Sequence, residues 1–460
     1  MRTPAAVRVP FAFAFAGALA AQQFAADVDA LCRPLIDGEF AVGCTVGVID
    51  GDAALVRGYG LVSPDGDRVP DGATVYEIGS ISKVFTGLLL ADAVERGLVS
   101  VDDEVQRLLP DGTRVPAADG RPIRLRDLTT HSSGLPRLLP GPSPDPADPY
   151  AHLTPERLLA GLATVSLRGK PGERYEYSNL GAGLLGHALV LRNGAASYGD
   201  LLAERIARPL ALDDTVVALD DAARARLAPP FDGDLQPSHN WDLAALAGAG
   251  GIRSTADDLL KFARAQLHPA GGTLASAIAS SHQPLFTDGK DTTVAYGWHV
   301  ADGGATLWHN GQTGGYHGFL AVQPGRGRAV CILANGARGE SDQVGRAILQ
   351  RLGGGPLLPL QVEKAVAVDR ALLQRCVGDY RNDGGARFAV KLAARGLVAR
   401  LDDQPVLRLH ARSPTEYYYR AVEASLTFEV AGDRAVALEL HQGGHDQRFV
   451  RIDDGAVKAR

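Results

Sequence analysis

Lysine is scarce in this chain. Of the 460 residues, 47 are Lys or Arg, but lysine stands only at Lys83, Lys170, Lys261, Lys290, Lys364, Lys391 and Lys458. A formal net charge of -6 and a pI near 6.1 leave no basic excess to draw nucleic acid or an anionic membrane as partner. Past the N-terminal segment no apolar run approaches the length that spans a bilayer. Gly-x-Ser-x-Gly is absent, which argues against an α/β-hydrolase elbow. His and Cys nowhere take a metal-ligand spacing, so neither metal nor cofactor is expected. There are four cysteines. Cys32 and Cys44 stand close enough to bridge in an oxidising compartment, whereas Cys331 and Cys376 read as buried free thiols.

Much of what is present suits a large exported globular protein. Hydrophobic residues make up 45% and charged residues 22%, enough to bury a sizeable core over two or three domains. Arg2 and Arg8 precede the apolar run Val9 to Leu19, and Ala18-Leu19-Ala20 fits a processing site, so residues 1–20 read as an export signal. A short N-terminal anchor helix is the rival reading.

Chemistry concentrates at Ser80-Ile81-Ser82-Lys83. Extended chain from Ala73 to Gly79 precedes it, and Val84, Leu88, Ala91 and Val94 follow with helical period. A hydroxyl and an amine three residues apart share a helix face. Backbone N–H groups at a helix start favour a developing oxyanion, and a partly buried Lys83 would lose its proton more easily and activate Ser80. A capping serine followed by a solvated lysine has the same spelling. Two later groups weigh against that bland reading. Tyr177-Ser178-Asn179 follows the polar turn Lys170 to Arg174 and precedes a small-residue helical pattern. Thr306 to Gly311 reads as a strand carrying His309-Asn310-Gly311, then a Gly-rich turn and a second strand-like run from Phe319 to Val322. Tyr380-Arg381-Asn382 and His441-Gln442-Gly443 repeat two of these patterns without a Ser-x-x-Lys, so the ordered triple carries the weight.

In that order the three motifs resemble those of the penicillin-recognising serine hydrolases: class C β-lactamases, D-alanyl-D-alanine carboxypeptidases, and related esterases and D-amino-acid peptidases. The flanks Leu128 to Pro136 and Ala249 to Leu259 also look like stretches of that family, and the resemblance covers roughly residues 30 to 350. It implies an α+β fold: a β-lactamase/transpeptidase-like catalytic domain of antiparallel sheet flanked by helices, plus a helical subdomain. Ser80 would form an acyl-enzyme, with Lys83 and Tyr177 sharing the proton traffic. Tyr177 would be the deacylation base if Lys83 holds its phenol pKa down. Asn179 would orient Lys83 or the substrate, and the backbone amides of Ser80 and Gln312, beside Gly311, would form the oxyanion hole. Where β-lactamases of this type carry Lys, this chain has His309. Carboxylate binding should then be weaker and strengthen as pH falls through about 6.5, favouring a D-amino-acid peptidase or esterase over efficient β-lactam hydrolysis.

Beyond a Gly353 to Pro359 linker the period changes from helical to two, at Phe388, Val390, Leu392; Leu397, Ala399, Leu401; Leu426, Phe428, Val430; and Val436, Leu438, Leu440. This predicts a small all-β barrel-like domain resembling the lipocalin-like domain of some family members. The expected organisation is a signal at 1–20, the hydrolase domain at 21–352, a linker at 353–365 and the β-domain at 366–460. The Pro-rich stretch Leu138 to Pro146 reads as an exposed loop beside the site. The expected substrate is a small molecule or peptide, met in the periplasm or outside the cell. An inactive relative that senses β-lactams or cell-wall peptides, and a scaffold acting through its β-domain, are the competing classes. The intact set Ser80, Lys83, Tyr177 and Asn179 favours an enzyme.

Overall fold

The computed structural model describes the backbone from residue 12 to residue 452, except 394, 395, 405 and 421, and side chains from residue 22. The expected export signal therefore falls outside the described residues, apart from the backbone that opens the helix Ala12–Asp37. Two compact units divide the chain, Met1–Gln361 and Val362–Arg460.

The described residues of the first unit include ten strands: β1 Gly43–Asp50, β2 Ala53–Gly60, β3 Val75–Glu77, β4 Arg253–Thr255, β5 Phe286–Thr287, β6 Thr293–Val294, β7 His299–Ala301, β8 Thr306–Gln312, β9 His317–Gln323 and β10 Arg328–Ala334. Eight form one antiparallel sheet in the order β2-β1-β10-β9-β8-β7-β6-β5, while β3 and β4 pair separately. The central strands are buried on both faces, and the period of two divides their side chains between two cores. Cys44, Val46, Val48, Phe319, Ala321, Val330 and Ile332 face the helices Ala12–Asp37 and Glu340–Leu352. Leu320, Val322, Ala329, Cys331 and Leu333 face the other way, onto the larger core that takes in the helices Ser82–Glu95 and Ala256–Leu267. Sandwiched this way, the sheet holds β8 rigidly against the turn that carries Ser80. Cys32 and Cys44 lie in the same core as free thiols, with burial pushing both above the ordinary cysteine value.

Among the described residues the second unit has a helix, Arg370–Cys376, and nine antiparallel strands between Gly378 and Ile452. Its two edge strands, Leu407–Arg408 and His410–Ala411, are separated in the chain only by Leu409, so the sheet curls into a nearly closed barrel. Phe388, Val390, Leu397, Ala399, Leu426, Phe428, Leu438 and Leu440 fill its core. Val436 departs from the expected alternation. Glu429 pairs with Ala437 and Val430 with Ala435, so Val436 is the extra residue of a bulge and Ala435 turns inward instead.

Candidate active site

Ser80 sits in a 3-10 turn, Gly79–Ile81, that runs straight into the helix Ser82–Glu95, so the α-helix begins two residues after it. Nearly every residue from Ser82 to Ala93 is buried, and Lys83 is only 2% exposed. Its Nζ lies 2.8 Å from Ser80 Oγ, 2.9 Å from Asn179 Oδ1 and 2.6 Å from the Ala249 carbonyl oxygen. Burial, reinforced by the positive charge of Arg137, holds the amine well below the ordinary lysine value.

Tyr177 approaches from the opposite side, its phenol 2.6 Å from Ser80 Oγ. Ser178 caps the helix Asn179–Asn193 by accepting from the Gly181 N–H, which sets Tyr177 just outside the helix and Asn179 at its first position. The Ser178 N–H donates to His131 Nδ1 at 3.1 Å, and the His131 ring lies 4.3 Å from that of Tyr177. His131 thus fixes both backbone and ring of this segment. The condition for Tyr177 to serve as base is not met. Burial dominates over its hydrogen bond to Ser80 and pushes the phenol up to about 12, whereas the Lys83 amine is shifted down.

The end of β8 closes the third side. His309 is 1% exposed, with its ring 6.4 Å from that of Tyr177 and 5.0 Å from that of His299. Burial, His299 and Lys83 hold the imidazole well below the ordinary histidine value, against the expectation of a group titrating near neutrality. Its Nδ1 meets the Asn310 carbonyl at 2.5 Å, which makes that nitrogen the donor, and the buried Nε2 has no partner. In this tautomer a neutral ring has only an acceptor left at the buried Nε2, which does not suit a carboxylate.

Two glycines let β8 approach the Ser80 turn. A β-carbon on Gly311 would fall 1.9 Å from the Ile78 carbonyl oxygen and 2.9 Å from Ser80 N. One on Gly79, whose φ is +49°, would fall 2.6 Å from Gln312 N. The backbone amides of Ser80 and Gln312 are thereby brought side by side, while the exposed Gln312 side chain reaches only toward the Ala337 carbonyl at 3.3 Å.

The structure therefore brings together Ser80, Lys83, Tyr177, Asn179, His309, Gly311 and Gln312. It adds residues that the motifs do not name: His131, the Ala249 carbonyl, His299 stacked 4.6 Å from Trp308, Arg137, and Tyr150, whose hydroxyl lies 3.5 Å from Asn179 Nδ2. Two of these, His131 and Ala249, fall within the flanking stretches already singled out. Leu138 to Pro146 is mostly exposed and forms neither helix nor strand, and just beyond it Ala147 accepts from Trp241 Nε1 at 3.1 Å. Among the described residues no group of three or more His, Cys, Asp or Glu could hold a metal ion, and no helix is long and apolar enough to cross a membrane.

A nucleophile-amine-phenol cluster beneath a sheet edge defines a class, and comparison with known proteins names it. Residues 28–354 match the Beta-lactamase family model, and the chain belongs to that family. It is 34% identical over 241 residues to the D-alanyl-D-alanine-carboxypeptidase/endopeptidase AmpH of Escherichia coli K12, covering 52% of this chain and 61% of AmpH, so less than two thirds of that relative is spanned. Penicillin-binding protein 4* of Bacillus subtilis is 24% identical over 439 residues, 89% of this chain and 94% of its own length. The crystal structure of a β-lactamase/D-alanine carboxypeptidase from Yersinia pestis superposes with a TM-score of 0.65 at 25% identity, over 72% of this chain and 99% of its own.

Proposed function

We propose that this chain is an exported serine hydrolase of the β-lactamase/DD-peptidase type. It works through an acyl-enzyme at Ser80 on amide, ester or lactam substrates, with a D-amino-acid peptidase or esterase activity favoured. The arrangement of Lys83 carries this reading. Its Nζ has three neighbours, two of them carbonyl oxygens of Asn179 and Ala249 that can only accept. A neutral amine satisfies both with its two hydrogens, and its lone pair then points to the third neighbour, Ser80 Oγ. Lys83 is in this way built to take the serine proton.

As the proton passes from Oγ to Nζ, Oγ bonds to the substrate carbonyl carbon and the carbonyl oxygen becomes an oxyanion facing the amides of Ser80 and Gln312. Collapse of that intermediate expels the leaving group, which takes a proton from the phenol of Tyr177, and the proton held by Lys83 restores the phenol. Water then repeats the sequence on the acyl-enzyme. The names of AmpH and of the Yersinia pestis enzyme support a peptide or lactam substrate. The basic and apolar N-terminal segment supports a periplasmic or secreted location.

The test is to label wild type and Ser80→Ala with a fluorescent penicillin and a fluorophosphonate, alongside turnover of nitrocefin, p-nitrophenyl esters and D-amino-acid peptides. Labelling with turnover in wild type and neither in the variant is the expected outcome. Stable labelling without turnover would favour a sensor, and equal turnover in the variant would overturn the mechanism.

A further inference from the structure

His309 is poorly placed to hold an anion: its Nδ1 is taken by the Asn310 carbonyl, and its Nε2 is buried without a hydrogen-bond partner among the described residues. Arg137 stands on the other side of Tyr177. Its guanidinium carbon lies 5.2 Å from the centre of the Tyr177 ring, whose hydroxyl is 2.6 Å from Ser80 Oγ. The residue is exposed, yet its backbone is clipped to the Tyr-x-Asn segment at two points. Its carbonyl accepts from the Leu180 N–H at 3.0 Å, and the preceding Pro136 carbonyl accepts from Ser178 Oγ at 2.7 Å. The nearby carboxylate of Glu176 is taken by Arg168 and Arg174, at 2.8 and 3.0 Å. Among the described residues Arg137 has no ion-pair partner. An exposed guanidinium fork without an ion-pair partner, held over the phenol that reaches Ser80 Oγ, has the chemistry that recognises carboxylates.

Building on the function proposed above, we infer that Arg137 is the specificity-determining residue for anionic substrates, binding a substrate carboxylate at the mouth of the cleft while Ser80 attacks the neighbouring carbonyl. The substrates favoured would be acyl compounds with a free carboxylate near the scissile bond, such as peptides ending in a free carboxylate.

A matched pair of substrates isolates this role: an acylglycyl thioester of thiolactic acid, and the methyl ester of the same compound, which differ only in the carboxylate. In Arg137→Gln the ratio of kcat/KM for acid over ester should fall about tenfold or more, mainly through KM. Arg137→Lys should keep most of the ratio, and added salt should raise KM for the acid in wild type but not in Arg137→Gln. An unchanged ratio in Arg137→Gln, or equal losses on both substrates with a shifted pH profile, would overturn the inference and leave Arg137 acting only through Lys83 or the packing of Tyr177. Should wild type hydrolyse neither compound, the proposed function fails on its own. Calorimetric binding of the free acid and its methyl ester to Ser80→Ala, with and without Arg137→Gln, still decides the role of Arg137: loss of a preference for the acid supports it, and no preference in Ser80→Ala refutes it.

Discussion

Gly311→Ala tests the proposed oxyanion hole from the side of the sheet. The added β-carbon would lie 1.9 Å from the Ile78 carbonyl oxygen and 2.9 Å from Ser80 N. Both neighbours are backbone, so neither can swing aside, and relief requires the end of β8 to move away from the Ser80 turn. Such a shift separates the amides of Ser80 and Gln312, which must converge on one oxygen. Losing one donor of an oxyanion hole lowers kcat by about 10²–10³, and overpacking of this kind costs about 1–3 kcal/mol of stability. KM should change little, because the lost interaction forms in the transition state. Gly79→Ala presses the same contact from the other side, 2.6 Å from Gln312 N, and adds roughly 1–2 kcal/mol for a β-carbon at φ +49°. Gly318→Ala is the control. It pairs with Gly311 across the ladder, but its nearest neighbours are the flexible ends of Ile81 and Leu333, at 3.1 and 3.2 Å. Steady-state kinetics on a p-nitrophenyl ester, with thermal melts to confirm folding, should show large kcat losses in the first two variants and a small one in the third. A folded Gly311→Ala protein with kcat within a few-fold of wild type would refute the reasoning.

Lys83→Arg keeps a basic residue but cannot be neutral, and it buries a cation that no carboxylate shifts; stability should drop by about 3–5 kcal/mol in denaturant melts and ester hydrolysis should be lost, whereas retained activity would mean that a neutral amine is not needed. His309 is held below its ordinary value, so its charged form is absent above pH 6.5 and gathers only as pH falls through that lowered pKa. KM for a carboxylate-bearing substrate should accordingly run parallel to that of a neutral ester from pH 6.5 to 8.5, and a selective gain for the anion across that window would contradict the assignment. Limited proteolysis should cut first between Gly353 and Lys364 and release a folded β-rich fragment, since that stretch has no strand and only a residual helix turn at its start; initial cuts inside 366–452 would argue against a separable domain.

The sequence was legible where one local rule decides the outcome. Ser-x-x-Lys, Tyr-x-Asn and His-x-Gly each sit on one turn, cap or strand end, and their order let the family be seen before the fold. The period of two beyond residue 380 likewise marked a barrel core. Properties that depend on three-dimensional burial were less visible. Nothing in the spelling of Tyr177 says whether its phenol is pushed up or down, and burial, which pushes it up and Lys83 down, is a property of the fold. Arg137 follows Pro136 in an unremarkable turn and becomes relevant only because Leu180 and Ser178 bind that turn to the site. The bulge at Val436 required knowledge of the partner strand.

The basic groups around Ser80 share one electrostatic logic. Lys83, His131, His299 and His309 are all held below their ordinary values, His299 to about 4: burial acts first on each, Arg137 adds to it at Lys83, and Lys83 and neighbouring cations add to it at the histidines, with no carboxylate among the groups that act on them. Four nitrogen bases this close cannot each carry a proton in a poorly solvated pocket. On the proposed mechanism the lowered value suits Lys83 to accepting the serine proton. A second buried amine in place of His309 would add to that crowding, whereas a charge outside the pocket would not. The Arg137 guanidinium is exposed and avoids the cost of burial, and its field helps hold Lys83 below the ordinary lysine value. Histidine on β8 and arginine beside Tyr177 are, on the proposed mechanism, one arrangement, in which the guanidinium stays exposed while Lys83 and His309 are buried.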